Sequence, residues 1–493
     1  MENFYVIFAA SEASPFLGTG GLKDVAGSLP KALVDMGVDC RIIIPCFNVD
    51  KAELQFIKDI YVPVAWRSEY CGLFMKELAG VTYYFIDNER YFFNRDALYG
   101  EYDDAERFTF FSRAICEILP HLPRHDNKPP DIVICNDWQT ALVSLYLKVI
   151  YPKWEWYSKI KTISMIHNIA FQGKYGMELL EDVFGLPDTA KGLVEYDECI
   201  NLLKGGMEAS DYIVTVSPNY AEEISGNHPA TPDYDFGWRL TPFIESRKYK
   251  LAGILNGIDN DTYNPDTDPL LYKNYNAFNF REGKNKNKLE LQKVLGLEVN
   301  AETFLIGVVG RIDPPQKGFQ LILEALNNGL LENNKMQLAF LGSPAKGDSD
   351  GDKMADEFKN IASRYPGKMA ARIEFSKELG QKIYGASDIF LVPSQYEPCG
   401  LSQMIALRYG TVPIVRNTGG LADTVFDNKD GDGNGYTFDN YSAGELMKAI
   451  ERAFKCYADP ERWNSLVKRA MAYDYSWNNS VKKHIDLFRK ICV

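Results

Sequence analysis

The sequence has no apolar run that approaches the length of a transmembrane helix, and its cysteines do not form the pattern of a disulfide scaffold or a zinc finger. The nine cysteines are an odd number and lie scattered through 493 residues without a C-x-x-C pair. An apolar stretch near the amino terminus, residues 4–10, is short and is bounded by Glu2 and Ser11, so we expect a buried strand there and no signal peptide. These absences predict a protein of the reducing cytoplasm that does not enter a membrane.

Histidine is also scarce, and acidic residues outnumber basic ones. The formal net charge of −13 excludes a general nucleic-acid-binding surface, although it allows a local basic pocket. The five histidines form no H-E-x-x-H motif or other ligand spacing, so we expect no metal site. The motifs G-x-G-x-x-G, G-x-x-x-x-G-K-[ST] and G-x-S-x-G are missing, and with them the usual markers of dinucleotide-dependent hydride transfer, P-loop nucleotide hydrolysis and esterase chemistry.

The sequence does contain a regular alternation of strand-length apolar runs with helical spacing. The first series of runs lies at residues 4–10, 41–45, 131–135, 161–166 and 212–216. After a polar passage and a basic helical pattern, a second series follows at residues 304–309, 336–341, 389–392 and 412–415. Strands that alternate with helices are typical of parallel sheets covered on both faces. We therefore predict an α/β protein with two Rossmann-like, doubly wound domains and a hinge near residue 250.

The stretch 388–403 combines a strand, a tight turn and a helix start around a single carboxylate. The apolar run at 389–392 is broken by Pro393 and Ser394, Glu397 follows, and a helical pattern begins after Gly400. In open α/β sheets, ligands bind at the carboxyl ends of strands, and helix amino termini bind anions. This stretch therefore predicts a ligand-binding loop. A loop whose Glu397 is only solvated remains the alternative.

Two cations follow the strand run at 304–309. Arg311 and Lys317 lie on either side of a predicted Pro-Pro turn, at a strand's carboxyl end. Arginine offers phosphate oxygens a planar fork and lysine a point charge, so the pair predicts a diphosphate site. Two solvated surface charges are the alternative.

Polar residues also end two strands of the first series. His167 and Asn168 follow the run at 161–166, and His167 could donate a hydrogen bond to a substrate hydroxyl. A structural histidine with its hydrogen bonds satisfied is the alternative. Asp137 and Trp138 follow the run at 131–135, where Asp137 could cap the next helix and Trp138 could form an aromatic platform in a sugar-binding loop. These two interpretations are compatible.

A short segment occurs twice. Thr19-Gly20-Gly21-Leu22 returns as Thr418-Gly419-Gly420-Leu421, and each copy follows a predicted strand and opens a predicted helix. Glycine lets backbone amides approach a ligand closely. The repeat therefore predicts that each domain presents a Gly-Gly backbone to a shared cleft, with chance similarity as the alternative.

Taken in order, these motifs resemble those of bacterial glycogen synthases and plant starch synthases. The resemblance covers nearly the whole chain, from Phe4 to about Tyr475. It rests on five motifs in register: Gly20-Gly21-Leu22, His167-Asn168, Asn256-Gly257-Ile258-Asp259, Gly310-Arg311 with Lys317-Gly318, and Glu397-Pro398-Cys399-Gly400-Leu401.

The resemblance implies a retaining glucosyltransferase of GT-B architecture that transfers glucose from ADP-glucose to the non-reducing end of an α-1,4-glucan, without a metal or other cofactor. It implies a first domain at residues 1–251, a nucleotide-sugar-binding domain at 252–473, and a final helix at 474–493 that returns to the first domain. The oligomeric state remains open.

The resemblance also implies residue roles. The catalytic residues would be His167 beside the glucose, Glu397 on the glucose hydroxyls, and Arg311 and Lys317 on the diphosphate. The sugar and acceptor side would contain Asp137 and Trp138. Donor binding would use backbone amides, polar side chains and an aromatic ring against the adenine: Gly20, Gly21, Asp24, Asn256, Phe375, Cys399, Gly400, Leu401 and Ser402. Glucose transfer with retention would proceed by same-face attack, with Glu397 as a covalent nucleophile as the alternative.

The sequence departs from the family pattern at one position of the first glycine-rich loop. The family usually has a lysine before the Thr-Gly-Gly segment, and this chain has Gly18 there. Lys23 lies in the same loop and could compensate, which predicts an active enzyme. A glucan-binding paralogue with weak or no transferase activity is the alternative.

Overall fold

The computed structural model describes residues 4–18, 20–93, 95–124, 127–227 and 234–492. Two separate, mainly parallel sheets dominate it, one in each half of the chain, and helices cover their faces. Within this part of the chain, no helix is both long and apolar enough to cross a membrane.

The first sheet has nine strands in the order β12-β11-β7-β6-β1-β2-β5-β4-β3. The seven strands from β12 to β5 in this order pair in parallel. At the β5 edge, β4 and β3 extend the sheet as antiparallel strands. A small antiparallel sheet of this half pairs β8, β10 and β9. The strands of this half are β1 Tyr5–Ala9, β2 Asp39–Pro45, β3 Gln55–Val64, β4 Arg67–Leu78, β5 Val81–Asp87, β6 Ile132–Asn136, β7 Lys161–Ile166, β8 Lys174–Tyr175, β9 Glu195–Tyr196, β10 Cys199–Asn201, β11 Tyr212–Thr215 and β12 Leu251–Gly253.

The central strands of this sheet are apolar on both faces because helices cover both. All five residues of β1 are buried, and β6 is buried throughout. The helices of this half are α1 Gly21–Asp35, α2 Glu89–Phe92, α3 Asp104–Ile118, α4 Ala141–Val149, α5 Glu155–Ser158, α6 Leu179–Asp182, α7 Lys191–Val194, α8 Leu202–Ala209, α9 Pro218–Ile224 and α10 Thr241–Glu245.

The second large sheet has six strands, all parallel, in the order β15-β14-β13-β16-β17-β18. The strands are β13 Phe304–Ile312, β14 Met336–Pro344, β15 Met369–Ile373, β16 Ile389–Val392, β17 Val412–Arg416 and β18 Tyr436–Phe438. The helices are α11 Phe280–Leu295, α12 Pro314–Lys317, α13 Phe319–Asn327, α14 Ser349–Arg364, α15 Lys377–Ala386, α16 Ser402–Arg408, α17 Gly419–Thr424, α18 Ala443–Tyr457, α19 Pro460–Ala472 and α20 Trp477–Ile491.

The last helix, α20, packs on the first half of the chain. Its Val481 and Phe488 are fully buried in the core beneath α1, and the Phe488 ring lies 5.9 Å from the Phe4 ring. The two segments that pass between the halves lie side by side, because the Ile258 amide donates to the Tyr475 carbonyl at 2.8 Å. The chain therefore crosses twice at one place.

The predicted α/β alternation is confirmed, with differences in detail. The antiparallel pair β3–β4 is an element that the sequence prediction lacks. The helix predicted to follow Asp137 begins as a 3-10 turn at Trp138–Thr140 before α4. The predicted Pro-Pro turn between Arg311 and Lys317 is the short helix α12, in which a proline occupies the first position, where no amide hydrogen is needed.

Candidate active site

The predicted site residues follow strands at the point where each sheet reverses its strand order. In the first sheet this point lies between β1 and β6, whose following loops carry Gly20 and Asp137. In the second sheet it lies between β13 and β16, whose following loops carry Lys317 and Glu397. Crevices at such points are the usual ligand sites of open α/β sheets.

Glu397 and Lys317 form a nearly buried ion pair. The Lys317 Nζ lies 3.0 Å from Oε1 and 2.8 Å from Oε2 of Glu397, and the Ser394 hydroxyl donates to Oε2 at 2.8 Å. Only 7% of the Glu397 side chain is exposed. A buried carboxylate requires such compensation, so Glu397 is a fixed, oriented group and not a solvated surface charge.

The second copy of the repeated segment supports the Glu397 turn from behind. Gly420 donates its amide to the Glu397 carbonyl at 3.0 Å. Gly419 has φ of 45°, and a Cβ there would overlap the same carbonyl, so only glycine fits. The Gly419 amide is also occupied, because Glu223 of α9 accepts it at 2.8 Å. The prediction that this copy presents its amides to the cleft is therefore wrong.

Arg311 is less committed than Lys317. It ends β13, and its Nη2 bonds the Asp313 carboxylate at 2.7 Å while much of its side chain stays exposed. Its other guanidinium N–H groups could bind a small anion, since arginine has five donors in a fixed fork.

His167 is held as a neutral ring. Burial lowers the pKa of His167 to about 3. Asn136 donates its amide to the Ala9 carbonyl at 2.8 Å, so its Oδ1 must accept from His167 Nε2, also at 2.8 Å. The ring therefore carries its proton on Nε2 and offers Nδ1 as an acceptor. In this tautomer Nδ1 is the ring nitrogen left for another partner and it can only accept, so the predicted donation from His167 to a substrate hydroxyl does not match the hydrogen bond of this ring.

Asp137 holds the turn that carries His167. Its Oδ1 accepts the His167 backbone amide at 2.8 Å, and the structure shows no cap hydrogen bond from its side chain to the following helix. The capping prediction is wrong because Asp137 has φ of 53° and turns its carboxylate toward the next strand end. Burial raises the pKa of Asp137 to about 7, although the amides of His167 and Asn168 oppose the rise.

Trp138 is a core residue in this structure. It is only 8% exposed, its ring packs against the rings of Phe108 and Tyr175, and a Cβ at Gly173 would stand 2.6 Å from it. A contact between Trp138 and a sugar thus remains a prediction that these packing contacts do not favour.

The first glycine-rich loop faces an exposed aromatic ring of the other half. Phe375 is 83% exposed, and the Lys23 Nζ lies 5.9 Å from the centre of its ring. Gly20 precedes α1, whose first turn begins at Gly21 and has no side-chain cap. Thr19 lies outside the described residues.

Gly18 and Lys23 fill one space between them. Gly18 has φ of 147°, and a Cβ on it would overlap the Lys23 Cβ and stand 2.9 Å from both Lys23 Cδ and a Glu12 carboxylate oxygen. A side chain at position 18 does not fit in this conformation, because the Cβ of residue 23 stands in its place. Lys23 therefore packs directly against Gly18.

A cavity of about 270 Å³ lies between α1, the crossing segments and the second half. Asp24 and Leu401, both predicted donor-binding residues, line it together with Lys377, Tyr263 and Trp477. Burial raises the pKa of Asp24, and the Lys23 and Lys377 charges oppose that rise. Lys377, at the start of α15, is a residue that the sequence reasoning missed, although it follows Phe375 by two positions.

The remaining donor-side residues cluster at the start of α16. The Asn256 backbone amide hydrogen-bonds to Cys399, which connects the crossing segment to the Glu397 turn. Leu401 precedes α16 and Ser402 begins it, without a side-chain cap. The Gln403 amide donates to the carbonyls of Cys399 and Gly400 at 3.1 and 2.8 Å, and so fixes the turn.

Tyr396 is the main contact that sequence reasoning missed. It hydrogen-bonds to Asn168 and lies against the rings of Tyr234 and Trp238, all in the first half of the chain. Residues adjacent to Glu397 and to His167 are thus bonded across the cleft. The only signal for this contact in the sequence was that Tyr396 is next to Glu397 and Asn168 is next to His167.

Among the described residues, no group of three or more His, Cys, Asp and Glu side chains is placed to hold a metal ion. The groups that the site does bring together are cations, amides and carboxylates from the loops of two facing sheets.

Two doubly wound domains with such a site between them define a glycosyltransferase of the GT-B class. Family models agree with this division: the starch synthase catalytic domain matches residues 5–244, and glycosyl transferases group 1 matches residues 295–470. The chain belongs to the glycogen and starch synthase family, and the predicted family, fold and glucosyltransferase activity are confirmed.

Known relatives extend over the full length of the chain. It is 44% identical to a glycogen synthase of Alkaliphilus metalliredigens over 99% of both chains, and 44% identical to one of Clostridium perfringens over 100% of both. A solved structure of the catalytic domain of starch synthase IV from Arabidopsis thaliana, bound to ADP and acarbose, is 33% identical with a TM-score of 0.88 and full coverage of both chains. These likenesses do not support the alternative of an inactive glucan-binding paralogue.

Proposed function

We propose that this protein transfers glucose from ADP-glucose to the non-reducing end of an α-1,4-glucan, with retention of configuration and without a metal. The observation that carries the proposal is the ion pair of Lys317 with the buried Glu397 at the switch point of the second large sheet. The ADP in the Arabidopsis starch synthase structure and the names of the bacterial relatives support this choice of substrates.

We propose that the two halves of the chain bind different substrates. Residues 1–251 would bind the glucan, residues 252–473 the nucleotide sugar, and residues 474–493 would anchor the crossing to the first domain. The contacts of α20 with α1 support this last assignment.

Departure of ADP is the step for which the cations are suited. Arg311 and Lys317 would neutralise charge on the diphosphate as the glycosidic bond breaks, with amides at Gly20, Gly21, Leu401 and Ser402 as further donors. Fixed donors and cations stabilise a transition state because they need no reorganisation when the charge develops. The acceptor hydroxyl would attack from the same face and pass its proton to a departing phosphate oxygen.

Glu397 is better suited to orient the glucose than to attack it. Both of its oxygens contact Lys317, and Oε2 also accepts from Ser394, so its negative charge is spread over fixed partners. A nucleophilic carboxylate needs a free lone pair aimed at the reacting carbon. The His167 Nδ1 would accept from a glucose hydroxyl, and Phe375 would stack on the adenine.

Lys23 would supply the cation that Gly18 cannot. It fills the space beside Gly18 and reaches toward Phe375, the proposed adenine platform. This arrangement supports an active enzyme.

Incubation with glycogen and radiolabelled ADP-glucose or UDP-glucose tests the proposal. We expect incorporation from ADP-glucose that exceeds incorporation from UDP-glucose, and loss of incorporation in a Glu397→Gln variant that circular dichroism shows to be folded at the assay temperature. Glutamine keeps the shape of the side chain, so a folded but inactive variant isolates the charge. No incorporation from either donor would reject the proposal, and a fully active Glu397→Gln would reject the site.

A further inference from the structure

We propose that Trp238 is an aromatic platform for a glucose unit of the glucan acceptor. This inference rests on the proposed function, because the ligand it names is the acceptor of that reaction. It assigns to Trp238 the task that the sequence pattern suggested for Trp138, whose ring is in the core.

The backbone at Trp238 is unusual. Trp238 and Arg239 have φ of 49° and 74°, so two consecutive residues with side chains lie in the left-handed region. Bulky residues are rare there, and such positions cluster at ligand sites where the surrounding structure enforces them. Glycine would adopt this conformation without strain, so the presence of tryptophan calls for a role of its ring.

The surrounding structure fixes this turn through hydrogen bonds to its backbone. The Trp238 carbonyl accepts from the Gln172 amide at 3.0 Å, and the Arg239 carbonyl accepts from the Tyr196 hydroxyl at 2.8 Å. Asp235 accepts the amides of Gly237 and Arg239 at 3.1 and 2.5 Å. None of these hydrogen bonds uses the Trp238 ring, so the backbone of this turn is fixed independently of the indole.

Gln172 is a rigid support for the turn. Its amide nitrogen also donates to the Ile169 carbonyl at 3.1 Å, and its oxygen accepts from Asn201 at 2.8 Å. The side chain is buried and belongs to the loop that follows His167. The position of Trp238 is therefore tied to the loop that carries His167.

The Trp238 ring lies at the cleft. Its centre is 5.9 Å from the ring of Tyr396, which it meets edge to face, and Tyr396 directly precedes Glu397. Despite this contact, Trp238 is 37% exposed. A partly exposed indole in contact with the residue before the proposed sugar-orienting carboxylate, on the half of the chain proposed to bind glucan, fits the apolar face of a pyranose ring. The exposed ring on the nucleotide side is a different one, Phe375, beside Lys23.

Steady-state kinetics of three variants test this assignment. We expect Trp238→Ala and Trp238→Gly each to raise the KM for maltoheptaose about tenfold, with the KM for ADP-glucose within twofold of the wild type. Trp238→Phe keeps a flat ring, so its KM for maltoheptaose should stay within threefold of the wild-type value. Trp66→Ala is the matched control, because Trp66 is a 78% exposed tryptophan at the β3–β4 turn and should change neither constant.

Stability separates a ligand-binding ring from a structural one. Because position 238 is left-handed, Trp238→Gly should have a higher thermal midpoint than Trp238→Ala, while both lose acceptor affinity equally. If the ring only supports the fold, Trp238→Ala would raise both KM values or leave both unchanged, and either result overturns the inference.

Binding without turnover completes the test. Maltoheptaose should quench the intrinsic fluorescence of the wild type, and Trp238→Phe should lose that component. A wild type that incorporates no glucose from ADP-glucose refutes the proposed function, whereas an active wild type whose Trp238 variants keep the acceptor KM refutes the assignment of Trp238 alone.

Discussion

Lys23 gives the clearest prediction at the scale of single residues. Its side chain occupies the space beside Gly18 and reaches the ring of Phe375. We expect Lys23→Ala to raise the KM for ADP-glucose about tenfold, because one cation near the donor is lost. Lys353→Ala, which removes an exposed lysine of α14, is the control and should leave that constant unchanged. Equal constants for Lys23→Ala and the wild type would show that Arg311 and Lys317 suffice.

Asp137 should set the pH dependence of activity. Its pKa is raised to about 7, and its ionised form is the stronger acceptor for the amide of His167. As the pH falls through 7, the carboxylate gains a proton and the loop of His167 loosens, so the rate should fall on the acid side. Asp137→Asn keeps an acceptor oxygen but cannot titrate, so its rate should be flat from pH 6 to 8, as measured in pH–rate profiles. An unchanged acid limb in Asp137→Asn would assign the titration elsewhere.

The buried imidazoles should make the fold less stable in acid. His167 and His484 have pKa values lowered to about 3 and about 4, below the value of 6.5 for an unfolded histidine. The unfolded chain therefore binds more protons between pH 4 and 6.5, and stability falls as the pH drops through that window. Thermal midpoints of the wild type and His484→Gln at pH 5 and 7 check this, with a smaller difference expected in the variant.

Several features of the site could be predicted from its residues, and others could not. Strand-end position predicted that Glu397 and Lys317 would lie at a ligand site, because the carboxyl ends of parallel strands share one edge of a sheet. Their ion pair joins residues 80 positions apart and depends on tertiary packing. The complementarity of Gly18 and Lys23 depends on one φ angle, which the sequence does not specify. The β3–β4 pair could have been found from the alternation of Ile60, Val62 and Val64.

At the scale of elements, two helices from opposite halves of the chain cap each other. Glu223 of α9 accepts the Gly419 amide at the start of α17, and Asp423 of α17 accepts the Asn219 amide of α9 at 2.9 Å. Carboxylates are favourable at helix amino termini because the backbone amides there lack partners. This reciprocal contact joins the two halves through charge and orientation, so we expect α9 and α17 to move as one body when the cleft opens.

Glu223→Ala should therefore destabilise the protein by about 3 kcal/mol, since it leaves the buried Thr418 hydroxyl and the Gly419 amide without an acceptor. The neighbouring Glu222 forms an exposed pair with Lys248, so Glu222→Ala should cost only about 0.5 kcal/mol. Chemical unfolding of both variants measures the difference. Similar losses for the two variants would argue against the reciprocal cap.

At the scale of the whole molecule, the path of the chain decides which parts can fold alone. One apolar core of the first half includes residues of β1, α1 and α20, and in it the rings of Phe4 and Phe488 touch. The second sheet lies wholly between the two crossings, which are joined where Ile258 donates to Tyr475. The first domain is thus discontinuous in sequence.

This crossing makes the second half of the chain an insertion into the first half. The insertion leaves and returns at hydrogen-bonded neighbours, so a short linker from Ile258 to Ser476 could replace it without stretching the first domain. Such a deletion variant should fold and still bind maltoheptaose, while it should bind no ADP-glucose. Since α20 supplies part of the first core, truncation before Trp477 should instead unfold it. Along the chain, the two facing domains are therefore one domain interrupted by another.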